Sequence, residues 1–553
     1  MTGPGRRSSM LTASVLIGGG AAGALALPPY GFIPCFVLSL CVLVWMLDDV
    51  FGVSASRRRR CLSSAFLTGW LWGLGYCLGG LWWLGAGFRF LAVPDIYFFV
   101  LIPGIVAFCA FLALFYGFGT MVAGLLWSPG SCRVFALAFG ISSGEWLRGH
   151  VLTGFPWNLP GMVFGQHLAL MQAASVGGVY LLTVIVLLIC AAPSTLRVNR
   201  GVAQTATFNQ RGGPTVIAAA ALILLAICGY TRARGELPPV DGVKVRVVQP
   251  DVQQDDKFRP DNAEAILATY FRVSLAGRET LDKDITHVVW PETAFPYVLD
   301  RSPETIRRTQ AFLHDRAVLV AGSARFDPML PGEERARVFN SIAVVDKSGH
   351  VWWVYDKMHL VPFGEMVPAF VVQVLRFLDA EELFVLPGDY HTPLRRKTAL
   401  IPGVGAVAAS ICYESVFSAD VLPQDMVSLP EELSLQFMLN VTNDGWFDGS
   451  NGPYQHFAQA RLRAVEEGLS LVRAANTGIS AVIDGYGRMV AVTPAGGEAI
   501  IDGFVPQRLE NRTVFARWRH VPFWLVMVLC LSAALAGRVV SCGGHGLSAV
   551  RRD

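Results

Sequence analysis

Charge is scarce in this chain. Asp, Glu, Lys and Arg make up 16% of its 553 residues, and the mean hydropathy is +0.45. Soluble domains carry about 25% charged residues, so an ordinary water-soluble protein is excluded and an integral membrane protein is expected. The net charge of +3 comes without a basic stripe or a domain-wide positive excess, so no nucleic-acid partner is expected. The eleven cysteines do not form a disulfide framework: most fall in or beside apolar runs, where cysteine acts as a small hydrophobe, and Cys61, Cys132 and Cys542 near run ends have no CxxC spacing. The ten histidines do not cluster, and the chain has no His-Glu-x-x-His helix, no P-loop and no Gly-x-Ser-x-Gly elbow. No metal and no cofactor are expected.

What the chain has in abundance is long apolar runs. Eight approach or exceed the length needed to cross a bilayer: Met10 to Leu27, Phe32 to Leu47, Leu62 to Leu84, Ile96 to Leu126, Val134 to Trp146, Leu168 to Ala192, Thr215 to Tyr230 and Val521 to Val540. The first follows Arg6 and Arg7 like a secretory signal, but it leads through Pro28-Pro29 into the second run, as a hairpin anchor does. Arginines mark alternate loops, at Arg6 and Arg7, Arg57 to Arg60, Arg133, Arg197 to Arg211, and Arg551 and Arg552. By the positive-inside rule these loops are cytoplasmic, which places both termini inside and the long segment between the last two runs outside. Arg232 and Arg234 oppose this weakly, and long translocated domains tolerate such charges. Three parts are expected: transmembrane helices one to seven over residues 1–235, a catalytic domain over 242–515, and an eighth helix with a cytoplasmic tail over 519–553.

After Leu237-Pro238-Pro239 the pattern turns to short β-type runs alternating with helical segments, the mark of an α/β domain. Strands are predicted over Val243 to Val248, Ile285 to Trp290, Ala317 to Gly322, Ser341 to Val345, Val351 to Tyr355, Val407 to Ile411, Phe437 to Val441, Leu471 to Ala474 and Ile479 to Ile483, with helices over Asn262 to Leu281 and Tyr454 to Glu467. Between Cys228 and Cys530 stands one cysteine, Cys412, directly after a strand. Glu292 and Lys357 also follow predicted strands by one or two residues, and α/β sheets gather their reactive groups at such carboxyl ends.

A thiol, a carboxylate and an ammonium make a covalent acyl-transfer site. Glu292 would take the proton from Cys412, while Lys357 and the backbone N–H of Tyr413 would hold the oxyanion. Taken singly, each residue has a plainer reading: an inert packed thiol, a solvated loop carboxylate, and a surface lysine paired with Asp356.

Their surroundings decide between the readings. The segments WPETAFP from Trp290, DKMHLVPFGEMVP from Asp356, ICYES from Ile411, NVTNDGWF from Asn440 and GPYQHFAQARLRAVEEGLSLVRAANTGISAVID from Gly452 resemble the nitrilase (carbon-nitrogen hydrolase) superfamily. With EWLRGHVLTGFPWN from Glu145, nearly the whole chain is similar to the bacterial apolipoprotein N-acyltransferase family. The resemblance implies an eight-span α-helical bundle carrying an extramembrane α-β-β-α sandwich with a Glu-Lys-Cys triad. It further implies that Cys412 takes a fatty acyl chain from a phospholipid as a thioester and passes it to the α-amino group of the diacylglyceryl-cysteine of a lipoprotein. The expected setting is the bacterial inner membrane with the catalytic domain on the periplasmic side, and the expected state a monomer. A membrane-tethered amidase acting on a small C–N substrate is the alternative, and a scaffold carrying an inactive nitrilase-like domain a third.

The resemblance also implies a supporting role for Glu365, which would position Lys357 or the incoming amine, and for Tyr413 and Glu414 beside the nucleophile. Phe258 stands where the family has tryptophan, keeping an aromatic face without the indole N–H. Trp446 sits in a glycine-bearing loop and would gate the mouth, or simply pack. The apolar run Met366 to Leu378 is either a lid dipping into lipid or a core helix. Glu145 and Arg148, charged at the end of a span, would touch a phospholipid head group or pair with each other to orient the loop.

Overall fold

The computed structural model describes residues 4–52, 58–87, 97–197, 208–257, 259–295, 302–327, 336–367, 372–373, 376–377, 390–423, 434–447 and 449–549. Phe258 and most of the Met366 to Leu378 run lie outside these residues. The chain divides into two compact units, Met1–Arg234 with Thr513–Asp553, and Gly235–Arg512.

The first unit is helical. Among the described residues seven helices are long and apolar enough to cross a membrane: Ser9–Ala26, Ile33–Phe51, Cys61–Leu81, Ile102–Leu126, Ala174–Leu196, Gly212–Arg232 and Val521–Val540. The expected fifth run is also helical, over Arg133–His150, but its 18 residues include three charged ones, Arg133, Glu145 and Arg148. The expected sixth run is broken into a short helix, Leu168–Met171, and a longer one, Ala174–Ala191, which itself kinks at Gly177 and Gly178. Small residues let the helices pack backbone to backbone. A Cβ on Gly20 would strike the Trp72 carbonyl, and one on Gly75 the Ile17 carbonyl, so in each case a glycine of one span lies against the backbone of the other.

The second unit holds two six-stranded sheets. One runs in the order β12 (Ala499–Pro506), β1 (Pro239–Gln249), β2 (His287–Val289), β3 (Val318–Asp327), β4 (Arg337–Asp346), β5 (Val351–Asp356). The other runs β11 (Met489–Val492), β10 (Ala481–Ile483), β9 (Ser470–Ala475), β8 (Phe437–Thr442), β7 (Gly405–Ile411), β6 (Ala399–Ile401). In both, the central strands pair in parallel, β1 with β2 and β2 with β3, β7 with β8 and β8 with β9.

Strand alternation explains the layering, because successive side chains face opposite sides. Val245, Val247, Val320, Ile342 and Val344 of one sheet pack against Val407, Ala409, Ile411, Leu439, Val441 and Val472 of the other, forming the core between the sheets. Val248, Leu319, Ala321, Ala343 and Val345 face outward onto the helix Ala263–Leu275. Ala406, Ala408, Met438 and Leu471 face outward onto the helix Gly452–Glu467. The result is the α-β-β-α sandwich. Strands covered on both faces read as continuous apolar runs, which is why they stand out in the sequence.

The nine predicted strands all occur. The structure adds β6, β11 and β12, and a helix over Pro303–Phe312. The predicted helix Asn262 to Leu281 stops at Leu275, where Ala276 and Gly277 take left-handed conformations (φ 52° and 76°).

Candidate active site

Glu292 follows β2 by three residues rather than one or two, in a turn pressed against β3. A Cβ on Gly322 would lie 2.5 Å from the Pro291 carbonyl oxygen and 2.6 Å from Glu292 Cα. The turn is fastened to that same glycine, whose N–H donates to the Pro291 carbonyl at 3.1 Å and whose carbonyl accepts from Ala294 N–H at 2.9 Å. The carboxylate is buried and fully engaged. Oε1 accepts from Asn340 Nδ2 (2.8 Å) and Lys357 Nζ (3.0 Å), and Oε2 accepts from the Asn443 N–H (2.9 Å). Burial pushes the acid's pKa up, but Lys357, the Asn340 hydrogen bond and Lys257 outweigh it and hold it below the usual glutamate value.

Lys357 follows β5 directly, 1% exposed, and its backbone N–H donates to the Asn340 carbonyl at 2.8 Å. Its ammonium bridges Glu292 Oε1 and Glu365 Oε1 (2.9 Å). Burial works against the charge, yet Glu292, Glu365 and Cys412 together hold the pKa well above the ordinary lysine range. Glu365 is itself fixed by the Val361 N–H on Oε2 (2.8 Å) and by Asn340 Nδ2 on Oε1 (2.8 Å). Asn340, in mid-strand on β4, therefore touches both carboxylates and the lysine backbone.

Cys412 follows β7 directly and opens a 3-10 turn, Cys412–Val416. Its φ of 50° is a left-handed conformation that costs a non-glycine residue free energy and lifts the side chain out of the strand's line. Burial and the Glu292 charge push the thiol well up, Lys357 pulls it down, Asp444 pushes up again, and a hydrogen bond from Thr442 lowers it. The resting pair is thus a protonated thiol beside an ionised carboxylate. That arrangement suits removal of the proton during attack rather than a standing thiolate.

Glu414 holds these elements in register. Its Oε1 accepts from the N–H groups of Met358 (2.7 Å) and His359 (3.3 Å), from Arg396 (3.0 Å) and from the Tyr355 hydroxyl (2.8 Å); its Oε2 accepts from the Ile411 N–H (2.6 Å). One buried carboxylate so ties the Lys357 turn to the Cys412 turn across the two sheets. Arg396, 1% exposed, also donates to the Ala409 carbonyl at 3.0 Å.

Below Cys412, His456 Nε2 lies 3.0 Å from the Cys412 carbonyl, its Nδ1 lies 2.7 Å from Asp444, and Arg473 completes the string to Asp444 at 2.9 Å. The Cys412, Asp444 and His456 donor atoms fall within 4.8 Å of one another, which is metal-site spacing. Both histidine nitrogens and both Asp444 oxygens already have protein partners, so the group serves here as a hydrogen-bonded support. Lys257, buried on the short helix Gln254–Lys257, donates to the Glu292 carbonyl at 2.8 Å.

The remaining sequence candidates separate. Tyr413 is buried and packs edge-on against Phe417, with ring centroids 5.1 Å apart. Trp446 is half-buried in the turn Asp444–Phe447. In the other unit, Glu145 and Arg148 are buried and paired at 2.5 Å, and Arg148 also donates to the carbonyls of Phe155 (2.7 Å) and Trp157 (2.9 Å). Arg148 thereby closes its own loop. Asn340, Lys257, Arg396 and the Asp444–His456 pair were missed by the sequence reading. Asn340 carried a signal as a polar residue inside the apolar strand Arg337–Asp346, whereas Lys257 and Arg396 lie in polar runs that carried none.

The family model for the apolipoprotein N-acyltransferase N-terminal domain matches residues 19–192, and that for carbon-nitrogen hydrolase matches residues 244–510. The apolipoprotein N-acyltransferase of Rhodopseudomonas palustris is 36% identical over 529 residues, covering 93% of each chain. Those of Rhizobium rhizogenes and Bradyrhizobium diazoefficiens are each 38% identical, covering 94% and 95% of both chains respectively. Among solved structures, an amidase of Nesterenkonia AN1 from the nitrilase superfamily aligns at 16% identity with a TM-score of 0.32, covering 49% of this chain and 94% of that one. Relatives of this identity span the apolar helices as well as the sandwich, and the chain belongs to the apolipoprotein N-acyltransferase family.

Proposed function

We propose that the protein transfers a fatty acyl chain from a phospholipid, through a thioester on Cys412, to the α-amino group of the N-terminal S-diacylglyceryl-cysteine of a lipoprotein. The observation that carries this reading is the buried knot of Glu292, Lys357, Glu365 and Asn340 set beside a cysteine in a left-handed turn.

In the first half-reaction the Cys412 sulfur attacks the ester carbonyl carbon while Glu292 takes the thiol proton. The carbonyl electron pair moves onto oxygen, where Lys357 and the Tyr413 N–H stabilise it. Collapse breaks the ester C–O bond, and the lysophospholipid oxygen leaves with the proton from Glu292. In the second half the amine attacks the thioester carbon while Glu292 accepts its proton; the C–S bond breaks to leave the amide, and the proton passes from Glu292 to the sulfur, regenerating the thiol. Splitting the exchange replaces a slow ester aminolysis by two easier steps. Glu365 holds Lys357 in place throughout, and Trp446 lines the approach.

The arginine-bearing loops support an inner-membrane orientation with residues 242–515 on the periplasmic side.

The test is intact-mass spectrometry of purified protein incubated with phospholipid. A hydroxylamine-sensitive fatty-acyl adduct is expected on wild type and not on Cys412→Ala. Absence of the adduct under conditions that trap slow acyl-enzymes, together with ammonia release from small amides, would overturn the proposal in favour of an amidase.

A further inference from the structure

Lys257 is the unexplained charge of this site. It is 6% exposed, and among the described residues its ammonium makes one hydrogen bond, to the Glu292 carbonyl. An ammonium has three donors, so among the described residues two have no protein partner. Burying a cation with so few partners costs free energy, and a protein keeps such an arrangement where a ligand completes it. Its position is well defined. The segment leading to it is tied to the nucleophile's sheet through Asn476, which bonds Val252 N–H (3.2 Å) and carbonyl (2.8 Å), and through Asn443, which bonds Gln254 (2.8 Å). Its field reaches two groups, Glu292 and Cys412, the pair that exchanges a proton in the proposed reaction.

Counting charge shows what Lys257 adds. At rest Glu292 and Glu365 face the single ammonium of Lys357, and only Lys257 brings the four groups to neutrality. When the thiol adds to an ester, its proton neutralises Glu292 and one new negative charge appears on the carbonyl oxygen. Glu365 and that oxygen then stand against Lys357 and Lys257, again neutral. Without Lys257 both states carry one excess negative charge in a buried site.

Resting on the acyltransferase reading above, we propose that Lys257 is a second oxyanion-binding cation, its two unused donors taking up the charge that develops on the ester oxygen as the C–S bond forms. Burial lowers the Lys257 pKa to about 8, while Glu292 and Cys412 act to raise it. The ammonium therefore persists at neutral pH and is held more firmly once negative charge grows.

The experiment measures the acylation rate of Cys412 in full-length, detergent-purified protein with two donors. One is phosphatidylethanolamine in micelles; the other is p-nitrophenyl palmitate, an ester without phosphate. Lys257→Met is expected to slow acylation about 10²–10³-fold with both donors, the usual effect of removing one oxyanion donor, with little change in KM. Lys257→Gln, which keeps a polar group in the pocket, provides the same comparison if the methionine variant melts early. A loss confined to phosphatidylethanolamine would make Lys257 a phosphate-binding residue and overturn the proposal. So would rates within threefold of wild type with both donors. A wild-type protein that forms no adduct with either donor overturns the acyltransferase reading itself, which separates the two failures.

Discussion

Replacing Asn340 by alanine removes the two hydrogen bonds that its side chain makes around Glu292, the proposed base. Asn340 Nδ2 donates at 2.8 Å to Glu292 Oε1 and at 2.8 Å to Glu365 Oε1, bridging two carboxylates that share one ammonium. A hydrogen bond to a charged group contributes about 1.5–3 kcal/mol, and every 1.4 kcal/mol is a factor of ten. Lost from the bridge that holds Glu292 and Glu365 in position about one ammonium, that energy corresponds to a drop of about 10- to 100-fold in acylation rate. The direction with pH follows from the same contact. Asn340 is one of the groups that lower the Glu292 pKa against burial, so removing it raises that pKa. The base works only when ionised; wild type keeps its rate down through the carboxylate range, and the variant should lose rate at a higher pH. The assay is the single-turnover acylation rate by quenched intact mass between about pH 4 and 8. A rate within threefold of wild type and an unmoved acid limb, in a variant that melts normally, would refute the argument that Asn340 tunes the base.

Three further outcomes follow from the packing. Gly322→Ala drives a methyl into the Pro291 carbonyl and Glu292 Cα, so acylation should fall at least tenfold while the sandwich still folds, as circular dichroism would show. Glu414→Gln leaves the Arg396 guanidinium buried without its carboxylate; breaking such a pair costs about 3–5 kcal/mol, read as a melting temperature lowered by roughly 10 °C. Arg148→Met strands buried Glu145 and frees the Phe155 and Trp157 carbonyls, so yield and thermal stability in detergent should drop, whereas a purely head-group-binding role would leave both unchanged.

How far each site residue could be read depends on how local its signal is. Cys412 stands out because no other cysteine lies between Cys228 and Cys530, and Lys357 because it interrupts a strand end with charge. Asn340 gives no such sign. It sits inside the strand Arg337–Asp346, where a polar side chain could face either side, and its partners lie 48 and 25 residues away. Lys257 lies in a polar stretch that reads as an ordinary exposed turn. Only the packing that buries it against the Glu292 turn shows otherwise. Strands β6 and β11, three and four residues long, are too short for alternation to define, and β12 is interrupted by Asp502, which pairs with Arg246 of its neighbour.

The sequence by itself determined the membrane class and the α/β pattern of the second unit, and it singled out Cys412, Glu292 and Lys357, because apolar run length, period-two alternation and charge at strand ends are properties of contiguous residues. Only the tertiary structure decided that Glu414 joins the lysine and nucleophile turns, that Asn340 bridges two carboxylates, that Glu145 and Arg148 close a loop, and that Lys257 is buried beside the base. Those facts depend on which strands become neighbours and on the register between them, and hydrogen bonds reaching across tens to hundreds of residues leave no periodic trace along the chain.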